Sequence, residues 1–336
     1  MCSIPTKMGP LKMPRLLQSN HAGIEEAAAR IESGGVVVFP TETVYGLGAS
    51  TFAVDGLKLI YEIKGRPSDN PLIAHVLDAV EARTLVSGWD MRCSRLAAKF
   101  WPGPLTMILH KAIDVPDQAT AGLQTIAVRS PMHPVARALL YAVDGPISAP
   151  SANRSGHVSP TNTEHVIADF PEQEDLLVLE GGRANFGIES TVLDLTAEKP
   201  VIRRPGSITL EALSRVLGAV EVAQGIGQGV SPGTRLIHYA PKIPTMLVPS
   251  NRLESFLATL KEPAAVLTLD SARVSAPHIG IQMQTDASAY ARMLYSKLRE
   301  AEISGLTHIV IEEPQGQDGL WFAVLDRLRR AAASVL

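Results

Sequence analysis

The stretch that decides the architecture is Val36-Val37-Val38-Phe39-Pro40-Thr41-Glu42-Thr43-Val44-Tyr45-Gly46-Leu47-Gly48. Its first four residues are an apolar, β-branched run that is too short for a helix and suits a buried strand. Gly34-Gly35 stands just before it and closes a helical pattern through Ile24, Ala28 and Ile31, for which Asn20 is a cap. Beyond Phe39 the run gives way at once to polar side chains and glycines. Ligands of open α/β sheets bind at the carboxyl ends of strands, and glycine lets backbone come close to a ligand. The same residues also suit a tight turn with capped backbone, and this stretch alone does not choose between the two.

The alternation continues outward. Leu57, Ile60 and Tyr61 form a helical face after Asp55 that Gly65 closes, and Leu72–Val76 reads as a strand. Leu96–Phe100 is helical until Pro102 stops it. Leu105–Leu109, Thr125–Arg129 and Ile147–Ala149 are strands, with the helix Pro134–Val143 among them. Thr161 and Glu164 make a capping box before Val166–Phe170. Leu176–Leu179, Thr191–Leu195 and Val201–Arg203 add strands, and Leu210, Leu213, Val216 and Leu217 a helical face closed by Gly218. Strands with helices interspersed argue for one large α/β domain with a mixed sheet. Gln224–Arg235, rich in Gly and Pro, breaks the rhythm as a linker.

A second alternation follows. Thr245–Val248, Ala264–Leu269 and His308–Ile311 are strands, and Ser250 is a cap for Leu253–Leu260. Tyr290, Met293, Leu294, Lys297 and Leu298 mark one helix, and Trp321, Val324, Leu325 and Leu328 another. The expected division is a frayed tail over 1–18, a catalytic domain over 19–220, a linker or lid over 221–243 and a smaller α/β domain over 244–336.

Charge and cysteine content exclude several classes. Residues 1–215 carry 20 basic and 23 acidic side chains, and residues 216–336 carry 11 of each. Neither part is a module that holds nucleic acid by charge alone. Two cysteines, Cys2 and Cys93, cannot form a disulfide framework or a four-cysteine metal site, and they point to a reducing cytoplasm. Apolar runs such as Val36–Phe39 are far too short to span a bilayer. Met1–Arg15 lacks the apolar stretch of a signal peptide.

Several segments carry candidate chemistry. Lys64-Gly65-Arg66-Pro67, with Asn70-Pro71 beyond, sets two cations past a helix C-terminus. They suit a phosphate clamp, but by themselves they fit better the plain dipole preference for cations at helix C-termini. His75, alone at the end of an apolar strand, is the kind of histidine that is more often a satisfied core residue. Thr125–Arg129 ends a strand on a cation, Ser148–Asn153 is a small-residue loop with hydroxyls, and Glu189–Val192 opens a strand with polar groups. Together they offer many hydroxyl and amide groups and few bases, which suits a polar anion or zwitterion and a nucleotide. No G-x-S-x-G elbow, P-loop or closely spaced histidine pair is present, so serine hydrolysis, Walker-type phosphate binding and a dedicated zinc site are not expected.

In order along the chain, FPTETVYGLGA (Phe39–Ala49), KGRP with NPL (Lys64–Pro67, Asn70–Leu72), WPGPLT (Trp101–Thr106), TIAVRSPMHP (Thr125–Pro134), SAPSAN (Ser148–Asn153), ESTVLDL (Glu189–Leu195) and IRRPG (Ile202–Gly206) resemble the YrdC-domain family. HYAP (His238–Pro241), the second alternation and GLWFAVLDRLRRAA (Gly319–Ala332) resemble the long, two-domain form of threonylcarbamoyl-AMP synthase. The resemblance implies a YrdC-like domain with a twisted mixed sheet, joined by a long linker to a Rossmann-like C-terminal domain. It implies that L-threonine, bicarbonate or CO2 and ATP become threonylcarbamoyl-adenylate and pyrophosphate, with Mg2+ on the phosphates, and that the product serves threonylcarbamoylation of tRNA.

By the same resemblance, Lys64 and Arg66 are the catalytic cations at the phosphates and carbamate. Thr43, His75, Arg129, Ala149 and Ser190 form the threonine pocket, with Arg129 on the carboxylate. Arg66, Asn70, Thr125, Ser151, Ser159 and Arg204 hold the nucleotide, and Tyr239 lets the linker close as a lid. Hand-over to a tRNA threonylcarbamoyl transferase complex and weak RNA binding around the cationic groove are further expectations. Two other readings compete. One is an RNA-binding module without catalysis, which the charge balance disfavours. The other is carbamoyl transfer of the hydrogenase-maturation type, which needs cysteine clusters that this chain lacks. Phe322 and Asp326 receive no role.

Overall fold

The run 36–39 is apolar throughout because the sheet it enters is covered on both faces. Val36 and Val38 pack on one side with Tyr45, Leu57 and Ile60, whereas Val37 and Phe39 pack on the other with Ile24, Ala28 and Leu139. The computed structural model describes residues 13–223 and 239–333. The expected linker Gln224–Arg235, His238 and most of the N-terminal tail lie outside the described residues.

The strands of the first sheet are β1 (Arg15–Leu17), β2 (Val37–Phe39), β3 (Gly46–Ser50), β4 (Ile73–His75), β5 (Leu105–His110), β6 (Thr125–Arg129), β7 (Ile147–Ala149), β8 (Leu177–Leu179), β9 (Thr191–Asp194), β10 (Val201–Arg204) and β11 (Glu221–Val222). They form one mixed sheet in the order β1-β8-β2-β3-β7-β4-β6-β5-β9-β10-β11. The second sheet is parallel, with β12 (Thr245–Pro249), β13 (Ala264–Thr268), β14 (Ile279–Gln282) and β15 (His308–Glu313) in the order β12-β15-β13-β14. The helices Ala287–Glu302 and Leu320–Ala332 cover one face through Leu294, Leu298, Val324 and Leu328, and Leu253–Thr259 covers the other.

Four local readings change. Arg15–Leu17, expected as tail, is an edge strand parallel to β8. Gly46–Ser50, read as the polar segment after a strand, is itself β3, antiparallel to β2. Glycine is poor strand material by propensity, but packing requires it here: a Cβ on Gly48 would come within 2.7 Å of the Phe39 ring and 2.6 Å of Ile147. The helix after Thr161 is capped by Asn162, whose side chain accepts from His165 N at 2.9 Å, so Thr161 is not its cap. Ser250 opens a short 3-10 turn, and its hydroxyl donates to the Glu312 carboxylate instead of capping Leu253–Thr259.

The second sheet's helices dock on the first domain. Their apolar cluster runs on through Val44, Val158, Ile188 and Tyr239. Gly187, at φ +74, lets the loop before β9 approach so closely that a Cβ would lie 2.5 Å from Arg292 Cα. Around this core, Arg299 Nη2 pairs with Asp169 at 2.7 Å, Thr161 and Ser296 share a hydroxyl contact at 3.1 Å, and His157 joins Asp169 at 2.7 Å to Glu302 at 2.9 Å.

Candidate active site

β2, β3, β4, β6 and β7 lie side by side, and the segments leaving their ends converge on a partly open cavity of about 50 Å³. Its walls include Thr41, Thr43 and Tyr45 from the 39–48 stretch, His75 at the end of β4, Arg129 at the end of β6 and Ala149 and Ser151 from β7 and beyond. Arg66, Glu189, Arg204 and Tyr239 complete them. On a scale where one water occupies about 10–15 Å³, this space holds only a few waters.

The turn after β2 is organised by Thr41. Its hydroxyl donates to Val44 O at 2.6 Å and accepts from the Thr43 and Val44 amides. The segment is therefore both the capped turn and a cavity wall, which removes the choice left open by the residues alone. Thr43 accepts from Arg129 Nη1 at 2.9 Å, and Arg129 Nη2 pairs with Glu42 at 2.5 Å. Arg129 Nε is buried without a partner, a spare donor in the cavity wall.

Glu42 is the support that the sequence reading missed. Its second oxygen accepts from Met132 N at 3.1 Å, so the carboxylate is committed on both sides. An acidic residue inside a quoted motif was the available signal, but its partner lies 87 residues away.

His75 is buried against Phe39, edge to face at 5.6 Å. Burial, and then the Arg129 guanidinium, lower its pKa to about 3. Its Nδ1 lies 3.1 Å from Ile73 O. It is a shaped wall and a poor base at neutral pH.

The two expected phosphate cations behave differently. Arg66 lines the cavity, braced by Asn70 O at 3.1 Å and Pro71 O at 2.9 Å. Asn70 thus supports Arg66 through its backbone. Lys64 is not part of the cavity wall. Its ammonium donates to Ser151 O at 2.6 Å and to Asn153 O, tying the end of its helix to the loop after β7. Burial and the neighbouring Arg66 push its pKa well below the lysine range. An anion beside it would favour the charged form.

At the other wall Ser190 is fully buried. Its hydroxyl meets Thr106 at 2.8 Å, and its carbonyl accepts from Arg204 Nε at 3.1 Å and Nη2 at 3.0 Å. Ser159 donates to Glu189 at 2.6 Å. Both therefore act through a lining residue. Glu189 also accepts from Tyr295 at 2.8 Å and Arg327 Nε at 2.9 Å. Tyr295 and Arg327 were absent from the expected site, and Glu189 was named only within the polar segment that opens β9. No local pattern distinguishes two helix residues whose partner is more than a hundred positions away.

Thr125 stands apart from this cavity. It opens β6 opposite His110, while Arg129 closes the same strand. At about 3.3 Å per residue the two ends are roughly 13 Å apart, and Thr125 is not among the cavity's walls.

Tyr239 closes the cavity from the linker side. It is fully buried, stacked on Tyr295 at 5.7 Å, and 5.1 Å beneath the Arg327 guanidinium carbon. Its φ of 64° lies in the left-handed region that non-glycine residues seldom enter, so the surroundings impose the conformation. Next to it, Ala240 N donates to Gly156 O at 2.9 Å.

Three guanidinium groups and one carboxylate thus face a small space lined with hydroxyls. Both nearby carboxylates are held in ion pairs, and the one histidine is neutral. Such a site neutralises and positions anions better than it moves protons.

Residues 29–206 match the Sua5/YciO/YrdC family, described as "Telomere recombination", and residues 208–333 match the threonylcarbamoyl-AMP synthase C-terminal domain. The chain belongs to the threonylcarbamoyl-AMP synthase family. It is 38% identical to the threonylcarbamoyl-AMP synthase of Pyrococcus abyssi, covering 92% of this chain and 94% of that protein. It is 37% identical to that of Bacillus subtilis, covering 94% of each. The crystal structure of P. abyssi Sua5 complexed with L-threonine superposes with a TM-score of 0.88 at 35% identity, over 95% of this chain and 97% of that one. The family carries the two-domain organisation seen here, a YrdC-like domain followed by a Sua5 C-terminal domain. Among the described residues no helix is long and apolar enough to cross a membrane.

Proposed function

We propose that this enzyme condenses L-threonine, bicarbonate or CO2 and ATP into threonylcarbamoyl-adenylate and pyrophosphate, with a water released where bicarbonate is the carbon source, and that the product serves threonylcarbamoylation of tRNA. The observation that carries the reading is the cavity itself: three buried guanidinium groups and a set of hydroxyls, in a chain similar over nearly its full length to enzymes of that name.

The chemistry asks little of a base. The threonine amine adds to CO2 and gives up a proton to solvent, leaving a carbamate, and a carbamate oxygen attacks the α-phosphorus of ATP. The bond to the bridging oxygen of the β-phosphate breaks, and pyrophosphate leaves. The protein's part is to hold two anions in contact and offset their charge. Arg129 is assigned to the threonine carboxylate, with Thr43, His75 and Ala149 shaping the pocket and Ser190 bracing it through Arg204. Arg66 faces the phosphates with Asn70 behind it, and Ser151, Arg204 and Tyr239 hold the nucleotide side, with Ser159 acting through Glu189. Lys64 orders the loop after β7 through Ser151 O and Asn153 O, and phosphates beside it favour its charged form. Thr125 is left out of this assignment.

The carboxylates Glu42 and Glu189 are both committed to arginines. No lining carboxylate is therefore available for a resident divalent cation, and Mg2+ belongs to the substrate, as MgATP. The Tyr239 segment is assigned the part of a lid that admits the nucleotide and then excludes water from the mixed anhydride. Hand-over of the product to a tRNA-modifying complex in the cytoplasm completes the reading.

Pyrophosphate release tests it. Signal should require ATP, L-threonine and bicarbonate together. Equal release without threonine would sink the proposal.

A further inference from the structure

We infer that Arg327 and Tyr295, on two helices of the second domain, are positioning residues for the nucleotide half of the site, so that domain docking and site closure are one equilibrium. This rests on the proposed synthase reading for the identity of the nucleotide.

Glu189 is the one carboxylate in the cavity wall, and second-domain donors hold it. Its Oε1 accepts from Ser159, while Oε2 accepts from both Tyr295 Oη and Arg327 Nε. Arg327 stands first among the cations that keep Glu189 ionised, down to a pKa of about 2 against the cost of its burial, with Arg204 second. The next peptide carries Ser190 O, the double anchor of Arg204. A misplaced Glu189 therefore misplaces a lining guanidinium.

The same two side chains hold Tyr239. Tyr295 stacks on its ring at 5.7 Å with 27° between planes, and the Arg327 guanidinium carbon lies 5.1 Å from its centroid. One pair of residues thus fixes a cavity wall from the first domain and a cavity wall from the linker. Separating the helices from the first domain would release both together.

Docking strength does not account for this arrangement. Arg299 with Asp169, Thr161 with Ser296, Arg292 with Asn185 O and His157 with Glu302 already join the domains at sites outside the cavity wall. Arg327 is completely buried, with Nη1 on Asp326 at 2.6 Å and Nη2 without a partner. An apolar side chain of similar length would fill an interface more cheaply than an incompletely paired cation.

The full-length protein is tested in two assays, pyrophosphate release and calorimetric binding of α,β-methylene-ATP. Tyr295→Phe removes one hydrogen bond and keeps the ring stack. It should raise the KM for ATP and the analogue Kd by roughly two- to tenfold, the range for one hydrogen bond, with the KM for threonine unchanged. Arg327→Met should lower kcat/KM for ATP further and move its acidic limb to higher pH, because Glu189 loses a cation that keeps it ionised. Arg327→Lys should return the limb toward wild type. Arg292→Ala, which weakens docking without touching Glu189, should leave the acidic limb at its wild-type pH. Wild-type ATP parameters and pH profile in Tyr295→Phe and Arg327→Met, with only a lowered melting temperature, would make the pair a docking contact and overturn the inference. If Arg327→Met does not fold, Tyr295→Phe decides it. Threonine-independent turnover in wild type refutes the synthase reading, while analogue binding still judges the positioning role.

Discussion

Arg129→Met separates what the Arg129–Glu42 pair does for stability from what it does for binding. Both side chains are buried, at 4% and 1% exposure, and the pair distance is 2.5 Å. Removing the guanidinium leaves the Glu42 carboxylate with only Met132 N as a hydrogen-bond donor. Breaking a buried pair by deleting one partner costs about 3–5 kcal/mol. For a domain of this size each kcal/mol lowers Tm by roughly 2–4 °C, which gives a fall of about 6–20 °C. Arg129 is also the proposed partner of the threonine carboxylate, where a charge-assisted hydrogen bond is worth about 1.5–3 kcal/mol, or roughly 10- to 150-fold in Kd.

The double variant Arg129→Met/Glu42→Gln distinguishes the two effects. With both charges gone, no buried carboxylate is stranded, and most of the lost Tm should return. Threonine affinity should stay as low as in the single variant, because neutralising Glu42 does not restore a cation. Thermal melts followed by circular dichroism give the first quantity and calorimetric titration of L-threonine the second. A double variant that binds threonine within twofold of wild type would refute the assignment of Arg129. A single variant that melts like wild type would refute the energetics.

Further consequences follow from other parts of the structure. Burial alone would lower the pKa of His157, but the Asp169 and Glu302 carboxylates outweigh it, and also the opposing Arg299, and raise it above the usual histidine value. Its stabilisation is therefore complete below the unfolded pKa of about 6.5 and is lost as pH rises through the higher folded value. The melting-temperature advantage of wild type over His157→Gln should shrink on going from pH 6 to alkaline pH, and a constant gap contradicts the bridge. Gly187→Ala places a Cβ 2.5 Å from Arg292 Cα at a φ of +74°. It should cost about 1–3 kcal/mol, the range for overpacking, and raise the KM for ATP by loosening the docked helices; unchanged melting and KM would show that the approach is not tight. Thr125→Val should leave the KM for ATP unchanged, since Thr125 stands at the far end of β6. A rise of tenfold would return it to the nucleotide site.

The strands that could be read from the chain were those whose residues carry their own reason to be extended. Thr125–Arg129 and Ile147–Ala149 have the expected bounds, and the runs at 36–39, 105–109 and 191–195 differ by a residue at an end. Helix punctuation was legible where one residue does the work, as with Asn20 and Gly65. It failed where two polar residues compete, because Thr161 and Asn162 both suit a cap and only the chain's path decides.

The amino-acid sequence by itself determined the α/β class, the family, and the clustering of Thr43, His75, Arg66 and Arg129 near strand and helix ends, because periodicity, turn chemistry and motif order are local properties. Tertiary structure alone decided that Gly46–Ser50 is a strand, since only the Phe39 ring and Ile147 leave no room for a side chain at Gly48. It decided that Lys64 braces a loop while Arg66 faces the cavity, and that Thr125 lies outside it. It also decided that Glu42 and Glu189 are charge partners, the second of them for an arginine 138 residues further on. A buried carboxylate is tolerated only where a cation meets it, and that meeting is a property of how the two domains pack.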